Sequence, residues 1–292
     1  MTTPTALTHP AQLVDRHLEA VLIEKRSEWM AIDPMLAEPV DHLEHLVLAG
    51  GKRVRPAMAY WGFVGAGGDA EDTNIVALGS ALELLQAFAL FHDDVMDGAN
   101  TRRGRPTSHT MEIERHRESD WGGEARRYGE AVAILAGDVS LVLSDVLLAE
   151  ANPLVRRLWN ELRIEVNLGQ YLDVVGTARA ERSPATADRI IEYKTARYTI
   201  VRPLQMGAAL ANREDLLDPF SEIGTPLGIA FQLRDDLLGA FGESSVTGKP
   251  VGDDLREGKP TPLLAAAWSR AGAAQRAILL SLIHISEPTR PY

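Results

Sequence analysis

The sequence contains no cysteine. Neither a disulfide framework nor a thiolate metal site is therefore available, and the absence fits a reducing cytoplasm. Positive charge is also in short supply. There are 41 acidic residues against 30 basic ones, a formal net charge of -11, and a surface of that sign excludes general nucleic-acid binding, which needs a basic footprint. The opening MTTPTALTHPAQLVDRHLEA is not expected to act as a secretory signal, since it has neither a basic start nor an apolar core. The most apolar stretch, residues 77–91, carries Glu83 and Gln86 and falls short of a membrane span. A cytoplasmic location is expected, and an apolar substrate must be met in a cavity of the protein. Alternating strand patterns of convincing length are absent as well.

Helical periodicity is what remains. Leu36, Val40, Leu43 and Val47 recur at steps of four and three within residues 34–50, and Gly50-Gly51 supply a stop. Residues 72–97 are apolar on most sides, as befits a central helix enclosed by others. Further helical patterns cover about 128–150, 153–180, 187–211, 219–241 and 261–281. Two loops rich in glycine, proline and charge interrupt them, GANTRRGRPTSHT at 98–110 and GESSVTGKPVGDDLREGKP ending at 260. With 292 residues, an all-α single-domain bundle is the predicted fold.

Asp93, Asp94 and Asp97 stand at i, i+1 and i+4, which on a helix stacks the first and last about 5–6 Å apart. Like charges repel there, and a helix C-terminus already carries partial negative charge. A hard divalent cation resolves that conflict, because carboxylate oxygens are its preferred ligands; magnesium takes one or two of them plus substrate phosphates. Alone, the motif is equally compatible with a solvated acidic turn. Its neighbours tip the balance. Arg102, Arg103 and Arg105 follow it, and GGKRVRP upstream supplies Lys52, Arg53 and Arg55 beside glycines. Arginine forks suit phosphate oxygens, and glycine lets backbone approach a ligand. A second pair, Asp235-Asp236, has Gln232 one turn earlier and Lys249, Asp254 and Lys259 after it. The shared order of apolar helix, aspartates and basic loop reads as a weak internal echo, and the whole set fits a clamp for diphosphates.

Over residues 43–268 the sequence resembles the trans-isoprenyl diphosphate synthases, the polyprenyl synthetase family. The resemblance rests on GGKRVRP, HDDVMD with RRGRPTSH, AGDVS at 136–140, YKTARYT at 193–199, FQLRDD at 231–236 and TGKPVGDDLREGK at 247–259, in that order. It implies an all-α bundle around a deep cavity, usually a homodimer, that joins isopentenyl diphosphate to an allylic diphosphate. It further implies that Asp93, Asp97 and Asp235 ligate three magnesium ions, with Asp94 and Asp236 helping through water or hydrogen bonds. Arg102, Lys194 and Lys259 would hold the allylic diphosphate, with Lys249 close by. Lys52, Arg55, Arg103 and Gln86 would bind isopentenyl diphosphate, and Thr195 and Gln232 would turn oxygens toward the developing carbocation. Bulky Phe88 beside small Ala89 resembles the geranylgeranyl-type, twenty-carbon enzymes.

Two departures stand out. Gly239 occupies the place where many relatives carry a third aspartate. The helical pattern stops near Leu280, so residues 1–280 are expected to form the synthase domain, truncated at its C-terminal side, while SLIHISEPTRPY reads as a non-native tail. A class I terpene cyclase would want an N-x-x-x-S-x-x-x-E second motif and no GGKRVRP; a non-catalytic or truncated inactive subunit of a heteromeric synthase is the other alternative. Phe88→Ala is expected to lengthen the product, and an unchanged chain-length distribution by radio-chromatography would refute the assignment of Phe88 as a chain-length residue.

Overall fold

A computed structural model describes residues 5–102, 104–242 and 252–284, apart from the side chains of 253, 254 and 282–284. The described chain is helical nearly throughout, in agreement with the periodicity. It divides into two compact units, Met1–Arg157 with Pro203–Leu217, and Leu158–Arg202 with Asp218–Tyr292.

The first unit holds α1 (Thr5–Met30), a 3-10 turn (Pro34–Ala37), α2 (Glu38–Val47), α3 (Val54–Gly65) and α4 (Thr73–Met96). A two-stranded hairpin of β1 (Thr101–Arg102) and β2 (Arg105–Pro106) follows, then α5 (Ser108–Glu118), α6 (Ala125–Val146) and the first turn of α7 (Pro153–Ala178). Most of α9 (Arg202–Leu210) also belongs to it. Its core is an apolar cluster fed by four helices: Val14, Leu18 and Leu22 of α1, Val40, Leu43 and Val47 of α2, Leu84, Ala87 and Phe91 of α4, and Ala136 and Leu143 of α6. Close approach of α3 and α9 requires glycine, since a Cβ on Gly62 would lie 2.5 Å from the Leu204 carbonyl oxygen.

Helix α4 is the one described helix long and apolar enough to cross a membrane, and 67% of its most apolar window is buried. Its burial is sided. Leu84, Ala87, Phe91 and Asp94 are buried, whereas Gln86, Ala89, Leu90, Asp93 and Asp97 are half-buried. Both sets follow steps of three and four, so they are two stripes of one cylinder.

Helices α1, α3 and α5 had no counterpart in the sequence reading. The buried stripe of α1 is narrow: Pro10, Val14, Leu18 and Leu22, at steps of four. Pro10 lies inside α1 and has no N–H for the carbonyl one turn back; the Trp61 indole of α3 donates to that Ala6 oxygen at 2.7 Å instead. The helix expected over 261–281 is two, α12 (Pro262–Arg270) and α13 (Ala273–His284), because Ala271 is extended at ψ 135°. The second unit contains the body of α7, α8 (Pro184–Ile190), a π-helical stretch (Ile191–Val201), α10 (Leu217–Phe241), α11 (Asp253–Glu257), α12 and α13.

Arg53 locks the first unit. It precedes α3 in the left-handed conformation at φ 46°, unusual for a residue with a Cβ. Its guanidinium is buried and donates to Glu83 of α4 at 2.6 Å, to Asp15 of α1 at 2.8 Å and to the Val47 carbonyl at the end of α2 at 2.5 Å. The last contact satisfies a carbonyl at a helix terminus. Arg53→Ala is expected to destabilise the fold by about 3–5 kcal/mol, since it strands a buried carboxylate. Urea unfolding checks this, and the double variant with Glu83→Leu should recover part of the loss.

Candidate active site

In the first unit the site begins where α4 ends. Gly98 at φ +61° turns the chain, and the Ala99 and Gly98 amides bond the Asp94 and Val95 carbonyls at 2.9 and 3.3 Å, a Schellman closure. Asp93 and Asp94 thus sit in the last turn of the helix and Asp97 caps it. The hairpin then brings Arg102 back over the acids. Its Nε donates to Asp94 Oδ1 at 2.7 Å, and Nη2 lies 2.6 Å from Asp94 and 3.3 Å from Asp93 Oδ2. Thr107 pins the base of this loop through its Oγ1, which donates to the Ala99 carbonyl at 2.7 Å. Burial pushes the Asp94 carboxyl above its usual range, and the bonds from Arg102 offset only part of that.

Around the same helix, Phe88 is 8% exposed and meets the His92 ring at a tilt of 59°, 4.6 Å between ring centroids. His92 lies 3.1 Å from the Ile134 carbonyl of α6 and 3.5 Å from Asp138. Gly137 makes this possible, since a Cβ there would lie 2.5 Å from the His92 ring. Ser140 donates to the Leu84 carbonyl at 2.7 Å. The AGDVS segment is therefore the seam of α6 against α4. Ala89 is half-buried, four residues before Asp93. In GGKRVRP, Lys52 is exposed and Arg55 half-buried, while Arg53, the middle cation of that cluster, is a buried structural tie. Gln86 is half-buried on the stripe of Asp93.

In the second unit, Lys194 and Thr195 lie in the π-helical stretch, a rare geometry often met at functional positions. The sequence reading expected an unbroken helix over 187–211, and the wider turn is a register change that side-chain period does not reveal. Lys194 Nζ donates to Asp173 of α7 at 2.6 Å. Gly169, one turn before Asp173, lets the Lys194 backbone approach to 2.6 Å of a would-be Cβ. Thr195 donates to the Gln232 amide oxygen at 2.6 Å, and the Gln232 amide nitrogen donates to Asp236 at 2.8 Å. Asp236 is buried and Asp235 exposed. Lys259 pairs with Glu257 at 3.0 Å, two residues earlier. The Gly239 carbonyl accepts the Gly252 amide at 2.8 Å. Arg103 and Lys249 lie outside the described residues.

Asp173 and Glu165 escaped the sequence reading. The spacing G-Q-x-x-D at 169–173, one helical turn, was the available sign of the first. Glu165 braces the end of the π stretch: it accepts from Arg197 at 2.8 Å and from Arg202 at 2.6 and 2.8 Å.

Among the described residues no group of three or more His, Cys, Asp or Glu forms a ready metal cage. A magnesium ion does not require one, because it takes one or two carboxylates and completes its shell with water and substrate phosphates. The oxygen-only donors Asp93 and Asp97 at the end of α4, already attracting the Arg102 cation, fit such an ion.

The family model for polyprenyl synthetase matches residues 35–291. The chain is 37% identical to a geranylgeranyl diphosphate synthase of Mycobacterium tuberculosis over 77% of this chain and 61% of that protein. It is 32% identical to a geranylfarnesyl diphosphate synthase of Aeropyrum pernix over 78% of this chain and 70% of the relative. Its fold is similar to a geranylgeranyl pyrophosphate synthase from Corynebacterium glutamicum, solved with isoprenyl diphosphate and magnesium; the TM-score is 0.86 and the identity 36%, over 96% of this chain and 87% of that one. The chain belongs to the polyprenyl synthetase family of prenyltransferases.

Glu165 carries a pH signature. Burial alone would raise its carboxyl, but the bonds and charges of Arg202 and Arg197 win and hold it below the usual range. Its contribution is then fully present above the unfolded value of about 4.3 and disappears as pH falls through the lower folded value. Glu165→Gln is expected to cost about 3 kcal/mol at neutral pH, and the gap from the parent protein in urea midpoints should close toward acid pH.

Proposed function

We propose that the chain condenses isopentenyl diphosphate with an allylic diphosphate, with magnesium, and releases geranylgeranyl diphosphate, acting as a homodimer. The observation that carries this reading is the acid end of α4 with Arg102 folded back onto Asp93 and Asp94. A carboxylate cluster already associated with a guanidinium is prepared to exchange that partner for a metal-bound diphosphate. When bound, magnesium supplies Lewis-acid stabilisation of the charge on the departing diphosphate.

The chain's own residues divide the remaining work. Asp93, Asp97 and Asp235 would hold the metal, and the inward-turned Asp94 and Asp236 brace Arg102 and Gln232 beside those acids. Arg102, Lys194, Lys259 and Lys249 bind the oxygens of the allylic diphosphate, whose charge grows as the carbon–oxygen bond breaks. Lys52, Arg55, Arg103 and Gln86 hold isopentenyl diphosphate with its double bond in line for carbon–carbon bond formation. The oxygens of Thr195 and Gln232 place partial negative charge near the cationic carbon, and the proton lost from the new adduct passes to the released diphosphate. Phe88 limits the chain from the α4–α6 seam. Relatives with the same product name support the twenty-carbon assignment.

Purified protein incubated with labelled isopentenyl diphosphate, magnesium and each allylic starter is expected to give a twenty-carbon product. Chelation should abolish it, and Asp93→Ala should lower turnover at least about a hundredfold. Failure to condense with any starter, or turnover indifferent to chelator, contradicts the proposal.

A further inference from the structure

Away from the acid cluster, a buried acid–base pair joins α2 to α5. His42 is 3% exposed and Glu112 4%, and His42 Nε2 lies 3.2 Å from Glu112 Oε1. The other polar atom of each side chain, His42 Nδ1 and Glu112 Oε2, is buried with no hydrogen-bond partner. Buried polar groups are ordinarily satisfied, so two unsatisfied atoms in one pair call for an explanation. Neither residue takes part in the reaction proposed above.

Geometry decides what a further proton does here. With Nε2–H directed at the carboxylate, the ring is neutral and Nδ1 is a bare acceptor. Protonation would create an N–H at Nδ1 that faces no acceptor, and a cation in the interior. Attraction to Glu112 works the other way, but burial wins and pushes the imidazole below its ordinary value. The neighbouring groups have contacts of their own. Glu38 of α2 binds Arg115 of α5 at 2.6 Å, and Asp41 of α2 binds Arg26 of α1. Arg115 also stands 3.6 Å from Glu112 Oε1. His116 of α5 turns its Nε2 to the Gly122 carbonyl, and burial keeps the Tyr128 phenol of α6 above its ordinary range.

The pair also sits at a junction. Helix α5 is pressed on α6, where a Cβ on Gly129 would lie 2.5 Å from the His109 carbonyl oxygen. It is joined to α2 by side chains, His42 to Glu112 and Glu38 to Arg115. Helix α2 leads into GGKRVRP, and α5 is entered from the hairpin that carries Arg102 and Arg105. The pair therefore ties together the two helices to which these basic segments are attached.

We propose that His42 and Glu112 form a proton-sensitive latch between α2 and α5, closed while the imidazole is neutral and opened when Nδ1 takes up a proton. The open form binds that proton at the ordinary value of about 6.5 and the closed form only at a lower one, so the latch is intact above about 6.5 and weakens as pH falls below it. Acid thereby loosens GGKRVRP from the hairpin. Its effect on condensation rests on the reading above; the latch itself does not.

Hydrogen exchange of the full chain, read by mass spectrometry on peptides from 38–47 and 108–118 and corrected for the intrinsic pH dependence of exchange, compares about pH 7.5 with about pH 5.5. No substrate or metal is added, so failure of the latch and failure of the condensation reading are separate results. Exchange in the parent is expected to rise by up to about tenfold, the full effect of a ring protonated only in the open form. His17 and His109 are also pushed down by burial, so variants isolate the pair. His42→Gln, whose amide still donates to Glu112 but does not titrate, should lose most of the rise. The double variant of His42→Leu with Glu112→Leu should lose it too, and either decides if the other does not fold. Glu112→Gln keeps the titrating ring and should keep the rise. An absent rise in the parent, a parent-like rise in His42→Gln or in the double variant, or a rise lost in Glu112→Gln alone overturns the latch.

Discussion

The acid end of α4 is the constraint from which the first unit's site follows. Three carboxylates within five positions crowd the end of a helix where the backbone already contributes negative charge. One of them, Asp94, is also buried, at 4% exposure. Such a group is tolerable only with a cation at hand, and the chain supplies one eight residues later. Gly98 reverses the direction, the short hairpin sets the span, and Thr107 ties its base, so that Arg102 arrives on Asp94 with two nitrogens. The loop geometry, often read as a device for substrate, is first a solution to the electrostatics of its own helix.

The same division recurs in the second unit. In each aspartate pair the first member faces outward and the second turns into the protein: Asp93 is half-buried and Asp235 exposed, whereas Asp94 and Asp236 are both buried. Their neighbours differ. Asp94 is held by a charged guanidinium, Asp236 by the neutral amide of Gln232, which in turn receives Thr195. Gln232 cannot rotate without losing both bonds, so the Thr195 hydroxyl and the Asp236 carboxylate are positioned by one side chain. The weak sequence echo between the two segments thus corresponds to a shared arrangement of inner and outer acid.

Much of this was legible from residue pattern. The helical class, the Asp93–Asp97 spacing and the order of basic loops are all local in sequence, and α4 announced itself because it is apolar over most of its circumference. Other features depend on contacts remote in the chain. Arg53 reads as one more cation in GGKRVRP, yet its partners Asp15 and Glu83 lie 38 and 30 residues away. Asp173 and Glu165 read as surface acids on an amphipathic helix until the π stretch brings Lys194, Arg197 and Arg202 against them. Helices α1 and α5 escaped because most of their surface is polar, and no period marks a helix that buries only a narrow stripe. The π register itself has no sequence period.

These observations explain how one helix can be both core and wall of the candidate site. On α4 the stripe of Leu84, Ala87, Phe91 and Asp94 belongs to the packed interior, and the stripe of Gln86, Ala89, Asp93 and Asp97 remains partly open. Adjacent residues, Asp93 and Asp94, fall on different stripes because consecutive helical positions do not face the same way. A pair of neighbouring aspartates at that boundary therefore has built-in asymmetry: Asp94 is buried against Arg102, while Asp93 is half-buried and meets the same guanidinium at the longer distance. A single aspartate could not both anchor the loop from the interior and remain on the partly open stripe. The pair occupies both positions, and Arg102 bridges them, short to Asp94 and longer to Asp93.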